Sequence, residues 1–347
     1  MSHVRSWVPV TGVLLAALVG APASSAGCAG DLNRDGRVSG EDLGMLLGAW
    51  GSTDAGSEFD LDGDGVVGGS DLGQLLGDWG QCPGVPDWAT LERFEPDPAV
   101  VTDPALREAI VATGLAWHVR DTATQIELLL VPPGVFEMGC TMNSTLYQCS
   151  GNKNRVHTVQ LTQPFYLGRS EVTQAQWQAT IGSNPSWFRS FPDSPLRPVE
   201  QVSWDQIQGF LLATRMRLPT EAQWERACRA GTSTPFPNGS TDDGTVGTFA
   251  WFSGNAGGAT RPVGGRAANG LGFVDMLGNV HEAVNDWWGD YTFDPQVDPT
   301  GPATGQFRVY RGGGYGSNTS ETRSSWRSNA PSSSTGKNRG FRVARDP

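Results

Sequence analysis

Charged residues are scarce in this chain of 347 residues, since only 18% are Asp, Glu, Lys or Arg. That fraction argues against a coiled coil and against a highly charged disordered chain. Basic clusters are also missing, so no segment is suited to neutralising a phosphate backbone, and we expect no nucleic-acid partner. The chain instead contains 46 Gly, 23 Pro and 13 Trp, which predicts a loop-rich globular fold with few long helices.

Long apolar runs are missing as well, apart from residues 8–19. This run is too short for a transmembrane helix, follows Arg5 and precedes small residues that suit a signal peptidase. We therefore interpret residues 1–26 as an export signal and expect no transmembrane anchor in the mature chain. The expected location is extracellular, periplasmic or at the cell surface. An uncleaved anchor and a lipid attached to Cys28 are the alternatives.

The chain has only five cysteines, and export makes disulfides permissible. Cys28 and Cys82 bracket an acidic segment, and Cys140 and Cys149 lie close together in a polar loop. We predict two local bridges from these pairs. Cys228 is left over inside an apparent helix, where a small buried thiol is expected rather than a reactive one.

Most of the net charge of −11 comes from one segment, residues 28–82, which holds eleven acids and two arginines. Within it, residues 31–51 and 60–80 are identical at 14 of 21 positions, so the segment is an internal duplication. In each copy, oxygen-bearing side chains occupy positions 1, 3, 5 and 12, with Gly at position 6. This is the pattern of an EF-hand calcium loop.

The spacing predicts two Ca²⁺ ions in this segment. Seven carboxylates at the ligand positions would repel one another without a cation, so the metal is expected to fold the module. For the first ion the predicted ligands are Asp31, Asn33, Asp35, Asp42, the carbonyl of Arg37, and Ser39 or a water. For the second they are Asp60, Asp62, Asp64, Asp71 and the carbonyl of Val66.

Only residues 52–59 separate the two copies, too few for a helix that enters the second loop. Each unit is therefore one loop followed by one helix, with Leu43, Leu46 and Leu47 as the apolar positions of the first. Residues 28–82 strongly resemble a dockerin domain. The resemblance implies a small α-helical, EF-hand-like calcium module that binds a cohesin-type protein through residues 30–82. A calcium-stiffened spacer without a partner is the alternative.

Residues 83–114 are Pro-rich and are interpreted as a linker with one short helix over 103–113. The large domain, residues 115–347, shows short strand patterns at 126–131, 135–138, 156–161, 165–168, 308–311 and 340–344. Capping boxes begin three helices at Thr173, Ser203 and Thr220, each with Gln three residues later. The prediction is an α+β domain with much irregular chain.

The large domain contains six separated motifs: Glu171-Val-Thr-Gln-Ala-Gln-Trp177, Pro198-Val-Glu-Gln-Val-Ser-Trp204, Arg217-Leu-Pro-Thr-Glu-Ala-Gln-Trp-Glu225, Asp275-Met-Leu-Gly-Asn-Val-His-Glu282, Arg311-Gly-Gly-Gly314 and Gly340-Phe-Arg342. In these motifs and their order, the large domain resembles the formylglycine-generating enzyme family, also called the sulfatase-modifying factor family. The resemblance covers residues 120–345 and implies that family's variant of the C-type-lectin fold, with little regular secondary structure.

Oxidases of that family hold copper(I) with two cysteine thiolates that follow a Gly-Gly-Ser-Tyr stretch. The corresponding residues 312–322 contain no cysteine, and none occurs after Cys228. Ser317 falls at the first thiolate position, while the second position is ambiguous. A serine hydroxyl is hard and protonated, whereas copper(I) prefers soft thiolates. We therefore do not expect copper or the copper oxidase mechanism.

The resemblance also implies structural calcium in the large domain. It assigns Asn279 and Glu282 to one ion, with a carbonyl such as that of Leu277 or Val280, and Asn255 and the carbonyl of Ala256 to half of another site. Hydrogen bonding of Asn279 and Glu282 without metal is the alternative. Several arginines of this domain either line a polar cleft or pair with buried acids: Arg308, Arg311, Arg323, Arg327 and Arg342.

Two hypotheses follow. The first is an exported calcium-binding protein whose large domain is a binding or structural scaffold for an unidentified peptide or glycan, held in a cleft near Trp326 and residues 312–317. In this hypothesis no residue has a catalytic role. The second is a formylglycine-generating-type oxidase, or another enzyme activity in the same cleft.

Overall fold

The computed structural model describes residues 28–53, 57–140 and 155–347. The predicted export signal and Cys149 lie outside these residues. In the described ranges no helix is longer than the 11 residues of Trp204–Thr214, in keeping with the Gly and Pro content. None of these helices has the length and apolar character needed to cross a lipid bilayer.

The acidic segment folds as two loop and helix units. The helices are α1 (Gly40–Gly48) and α2 (Gly69–Gly77). Ser39 caps α1 by accepting the N–H of Glu41, whereas Gly68 stands at the equivalent position before α2. Leu46 of α1 and Leu75 of α2 are fully buried and belong to one hydrophobic core that continues into the large domain. The leucine spacing of the two helices predicts such an apolar face.

The two copies pair with each other through their loops. Strand β1 (Arg37–Val38) of the first loop is antiparallel to β2 (Gly80–Gln81), which follows the helix of the second copy. In the second loop Val67 exchanges backbone hydrogen bonds with residues 51 and 52, which follow the helix of the first copy. The predicted disulfide between Cys28 and Cys82 is present and joins the ends of the module.

The segment expected as a linker, residues 83–114, contributes regular structure to the large domain. It contains strand β3 (Ala89–Arg93) and helix α3 (Pro104–Val111), which Asp103 caps. Strand β3 is the edge strand of a five-stranded sheet and pairs with β4 (His118–Asp121). The segment is held in place because Val101 and Ile110 are fully buried.

Three sheets build the large domain. Beyond β3 and β4, their strands are β5 (Glu127–Val131), β6 (Gly134–Met138), β7 (His157–Leu161), β8 (Phe165–Gly168), β9 (His281–Trp287), β10 (Gln296–Val297), β11 (Arg308–Arg311), β12 (Arg327–Ala330), β13 (Arg339–Phe341) and β14 (Ala344–Arg345). The first sheet has the order β14–β8–β5–β4–β3, the second β12–β11–β9–β13 and the third β10–β7–β6. Strands β5 and β8 are apolar and almost entirely buried, so this sheet lies at the centre of the core.

Three helices pack against these sheets, and each begins at a predicted capping box. They are α4 (Gln174–Ile181), α5 (Trp204–Thr214) and α6 (Glu221–Arg229). Trp177 of α4 stacks on Phe210 of α5 with ring centroids 5.6 Å apart. Two short 3-10 helices, Ser194–Leu196 and Asp243–Thr248, lie in the connecting segments. The predicted α+β class is confirmed.

Candidate functional site

The two acidic loops hold their first carboxylates in the same way. In the first loop Asp31 accepts the backbone N–H of Gly36 at 2.8 Å. In the second loop Asp60 accepts the N–H of Gly65 at 2.9 Å. Gly36 and Gly65 both have a φ of +90°, which residues with a Cβ rarely adopt. Glycine at position 6 therefore lets each loop fold back onto its first acid.

Positions 3 and 5 of both loops form a further repeated set of hydrogen bonds. In all four cases a side-chain oxygen accepts the backbone N–H two residues later, at 2.8 to 3.0 Å. These bonds hold the predicted ligands in tight turns. The acceptor and donor pairs are Asn33 with Asp35, Asp35 with Arg37, Asp62 with Asp64, and Asp64 with Val66.

The acid at position 12 reaches back to its own loop. Asp42 accepts the N–H of Asn33 at 3.1 Å and that of Ser39 at 2.8 Å. Asp71 accepts the N–H of Leu61 at 2.7 Å, and the hydrogen bond from the N–H of Gly68 lowers the pKa of this carboxyl. Asp42 and Asp71 are fully buried. In each loop the aspartate at position 12 therefore joins the two ends of the loop.

The charge of these loops is not balanced by basic side chains. In the described part of the module the recorded salt bridge is the exposed pair of Arg34 and Glu58. In the second loop, oxygens of Asp60, Asp62 and Asp71 all lie within 4.8 Å of one another. Such a set of hard oxygen donors is suited to a divalent cation.

In the large domain, Asn279 and Glu282 lie in the interior with protein partners. Asn279 accepts the N–H of Arg261 at 2.9 Å and donates to Glu171 at 2.7 Å. Glu282 accepts two hydrogen bonds of 2.6 Å from Arg342 and one of 2.7 Å from the indole of Trp224. Metal binding by Asn279 and Glu282 stays a prediction, and these contacts match the hydrogen-bonded alternative. Asn255 similarly hydrogen bonds to the backbone, accepting from residue 252 and donating to residue 250.

The predicted cleft lies beside the loop of residues 312–317. Its volume is about 350 Å³, and Trp326, Tyr315 and Glu321 are on its wall. The hydroxyl of Ser317 accepts the N–H of Gly314 at 3.2 Å and lies 3.5 Å from Nε2 of His281. Burial, followed by the nearby charge of Arg339, lowers the pKa of His281 to about 4. The imidazole is therefore neutral at pH 7.

The residues at this loop do not fit a copper(I) ion. Ser317 offers a hydroxyl at the first expected ligand position, and the hydroxyl of Thr322, five residues on, donates to the carbonyl of Asn318 at 2.8 Å. The last cysteine of the chain, Cys228, is fully buried, and burial raises the pKa of its thiol to about 12. Copper(I) needs soft thiolate donors, and neither the hydroxyl of Ser317 nor that of Thr322 provides one.

Three of the five arginines that were predicted to line a cleft or to pair with buried acids do pair with buried acids. Arg342 pairs with Glu282, and Arg311 with Glu221 and Glu225. Arg327 also pairs with Glu221. Burial of such pairs requires mutual neutralisation.

Sequence reasoning missed a second cavity, of about 490 Å³, at the N-terminus of α6. Its wall includes Asp286, Glu221 and Arg327, which are far apart in sequence. The Asp-Trp-Trp run at 286–288 is the one sequence signal that could have indicated it.

The sheets of short strands, the capped helices and the buried acid and arginine pairs define the sulfatase-modifying class of domain. Residues 111–347 match the family model described as the sulfatase-modifying factor enzyme 1-like domain, and the chain belongs to this family. It is 31% identical to the formylglycine-generating enzyme of Streptomyces coelicolor, in an alignment that covers 72% of this chain and 95% of that protein. It is 37% identical to the enzyme of the same name from Thermomonospora curvata, across 51% of this chain and 63% of that protein.

Two solved structures share the fold. PvdO from Pseudomonas aeruginosa superposes with a TM-score of 0.58 at 26% identity, over 66% of this chain and 98% of that chain. Treponema denticola variable protein 1 superposes with a TM-score of 0.56 at 28% identity, over 65% of this chain and 98% of that chain. Both matches concern a part of the chain similar in length to the large domain.

Proposed function

We propose that this protein is an exported, calcium-binding assembly protein whose large domain binds a peptide or glycan and does not act as a copper oxidase. The observation that carries the proposal is the hydroxyl of Ser317 at the position where the family resemblance places a copper-binding thiolate. Without two thiolates the cleft lacks the donors that copper(I) requires. The cleft itself is retained, so binding is the function that its residues support.

Tyr315 on the cleft wall and the neighbouring aromatic residues 187 and 188 support a binding role. Tyr315 packs edge to face against Phe188 with ring centroids 5.4 Å apart. Trp187, the residue before Phe188, is exposed, and the ammonium of Lys337 lies 3.5 Å from the centroid of the Trp187 ring. Exposed aromatic rings beside polar groups are typical of surfaces that bind peptides and sugars.

The test is mass spectrometry of a peptide that carries the cysteine motif of sulfatases. The full chain is incubated with this peptide, copper(I) and oxygen, and the formylglycine-generating enzyme of Streptomyces coelicolor is run in parallel. We expect the cysteine to stay unchanged with this chain and to be converted by the parallel enzyme. Conversion by this chain would overturn the binding proposal.

Formylglycine formation is the second candidate function. The observation that favours it is the 31% identity to an enzyme of that name across 95% of its length. This candidate requires a copper site built from other donors than Ser317. The same mass-spectrometric experiment decides between the two candidates, and copper(I) titration of the full chain tells whether any such site exists.

For the acidic module we propose two bound Ca²⁺ ions, one in each loop. The repeated hydrogen bonds of Asp31 and Asp60 support this proposal, and neither aspartate has a salt bridge within the described residues. Isothermal titration with calcium should give two sites that belong to the module. Asp31→Asn and Asp60→Asn form a matched pair of variants at position 1, and each should remove one site. Binding of no calcium by the unaltered chain would contradict the proposal.

We further propose that the module binds a cohesin-type protein. Leu47 and Trp50 after the first loop, and Leu76 and Trp79 after the second, are all about half exposed at equivalent positions of the duplication. Apolar side chains repeated on a surface support protein docking. Binding to an array of cohesin domains should require calcium and should weaken in Leu47→Ser and Leu76→Ser. Calcium-dependent folding with no captured cohesin would favour the spacer alternative.

Export is the last element of the proposal. It rests on the apolar run of residues 8–19 and the small residues that follow. N-terminal sequencing of the protein recovered from culture medium, periplasm and cell surface should find a new terminus near residue 27. An intact N-terminus in every fraction would contradict cleavage.

A further inference from the structure

The second cavity shares no lining residue with the cleft of His281 and Ser317. It lies between the N-terminus of α6, the end of β9 and the segment 289–302. Its volume of about 490 Å³ is in the range of small-molecule sites. Asp286, Tyr291 and Trp287 are on its wall.

We propose that this cavity binds an organic cation, an ammonium or guanidinium group on an alkyl chain, with the carboxylate of Asp286 as its receptor. Asp286 is only 4% exposed. Its Oδ2 accepts the backbone N–H of Glu221 at 2.8 Å, while Oδ1 accepts no hydrogen bond from the described residues. The carboxylate of Asp286 therefore has one oxygen on the cavity wall that can accept a hydrogen bond from a cationic ligand.

The charges of the wall favour a cation over an anion. Four acids lie there, Glu221, Asp286, Asp290 and Asp298, against the single arginine Arg327. Arg327 is already engaged, because its guanidinium donates to both oxygens of Glu221 at 2.6 and 2.8 Å. Glu221 is therefore neutralised, and no salt bridge to Asp286 is present among the described residues.

Burial of Asp286 without a salt bridge among the described residues has a measurable consequence. Burial, together with the nearby charge of Glu221, raises the pKa of Asp286 to about 7. Near neutral pH this carboxyl is therefore partly protonated. A bound cation stabilises the ionised form, so its binding should release protons from Asp286.

The cavity fits an organic cation better than a metal ion. Within the described ranges, the set of three or more acids close enough to share a metal is Asp60, Asp62 and Asp71, all in the acidic module. The wall of the cavity instead contains the adjacent rings of His157 and Tyr291, with centroids 4.8 Å apart. Aromatic walls pack against alkyl chains and attract cations.

The same cationic chemistry can come from a free amine or from the side chain of a peptide. Binding of agmatine to the full chain in calcium at pH 7 tests the free amine. N-acetyl-lysine-N-methylamide tests the peptide side chain. The uncharged probe n-butanol, which has a four-carbon chain, tests the need for charge. Calorimetry in two buffers of different ionisation enthalpy measures proton release. We expect at least one of the cations to bind with proton release and n-butanol to bind at least about tenfold more weakly.

Two variants locate the site. Asp286→Asn keeps an acceptor for the N–H of Glu221 but removes the charge, so it should weaken cation binding about tenfold and abolish proton release. Thr300→Trp fills the cavity from its exposed rim and should block binding without touching Asp286. The matched control is Asp275→Asn. Asp275 is also buried and accepts one backbone N–H, from Gly264 at 2.6 Å, but lies outside the cavity.

Three results would overturn the proposal: no binding of any cation by the unaltered chain, equal binding of n-butanol, or equal weakening by Asp275→Asn and Asp286→Asn. If Asp286→Asn fails to fold, Thr300→Trp and the proton release of the unaltered chain still decide. Loss of calcium binding or of peptide binding in the cleft does not affect this test.

Discussion

The acidic module and the large domain both bury acidic side chains, but they stabilise them by different means. In the module, Asp42 and Asp71 are held by backbone N–H groups. In the large domain, Glu282 and Glu225 are paired with the guanidinium groups of Arg342 and Arg311. Backbone N–H groups orient a carboxylate without cancelling its charge, whereas an arginine does both. We therefore propose that the module depends on an added cation, whereas the large domain pairs its buried acids with its own arginines.

The largest expected effect comes from breaking a buried pair of the large domain. Arg342→Met leaves the carboxylate of Glu282 buried without its cation and should lower the free energy of unfolding by about 3–5 kcal/mol. Denaturant titration in calcium measures this change. The control is Arg217→Met, since Arg217 pairs with Asp346 on the surface and should contribute at most about 1 kcal/mol. Equal losses in the two variants would contradict the comparison.

Removal of calcium should destabilise the module next most strongly. For each ion present at 100 times its dissociation constant, chelation should lower the free energy of unfolding by about 2.7 kcal/mol. Far-ultraviolet circular dichroism during heating, with and without chelator at matched ionic strength, follows α1 and α2. An unaltered melting curve would show that the acidic loops do not need the cation.

The stability of the large domain should fall as the pH rises toward 7, because the pKa of Asp286 is raised. Because the pKa of Asp286 is raised to about 7 by burial and by Glu221, the folded state holds a proton that the unfolded state releases above about pH 4. The contribution of Asp286 to stability is therefore greatest at low pH and is lost as the pH rises toward 7, by at most about 1.4 kcal/mol per unit. Melting temperatures of the unaltered chain and of Asp286→Asn from pH 5 to 8 measure it. Parallel curves would contradict the prediction.

The smallest expected effect separates the two acidic loops from each other. The first loop is joined to the large domain, because the N–H of Leu91 in the edge strand β3 donates to the carbonyl of Asp35 at 2.8 Å. Loss of the first ion in Asp31→Asn should therefore loosen β3 by about 1 kcal/mol, the net value of one hydrogen bond. Asp60→Asn should not, since no backbone hydrogen bond from the second loop to the large domain is recorded in the described ranges. Hydrogen exchange of the peptide that contains Leu91 distinguishes these outcomes, and equal exchange in both variants would contradict them.

Local patterns account for what the sequence predicts correctly. The starts of α4, α5 and α6 follow from capping boxes that need only four consecutive residues. The disulfide between Cys28 and Cys82 follows from the position of these residues around one acidic segment. Family motifs place the large domain because they are read along the chain and do not depend on knowing the packing.

Features that depend on distant contacts could not be predicted in the same way. Strand β3 lies in a Pro-rich segment and becomes a strand because β4 supplies its partner. The partners of Glu282 are Trp224 and Arg342, each about 60 residues away in the chain. The cavity at Asp286 is assembled from several segments, so no local pattern contains it. Tertiary context decides such features.

The crossed pairing of the acidic loops means that the duplication is a closed pair with no independent half. Val38 needs Gly80 from the second copy, and Val67 needs residues 51 and 52 from the first. In a chain with one copy alone, two backbone segments, one in the loop and one after the helix, would lack the partners of their hydrogen bonds. Two such chains can satisfy each other, so a single repeat has the geometry of half of a homodimer, and the duplication joins the two halves in one polypeptide.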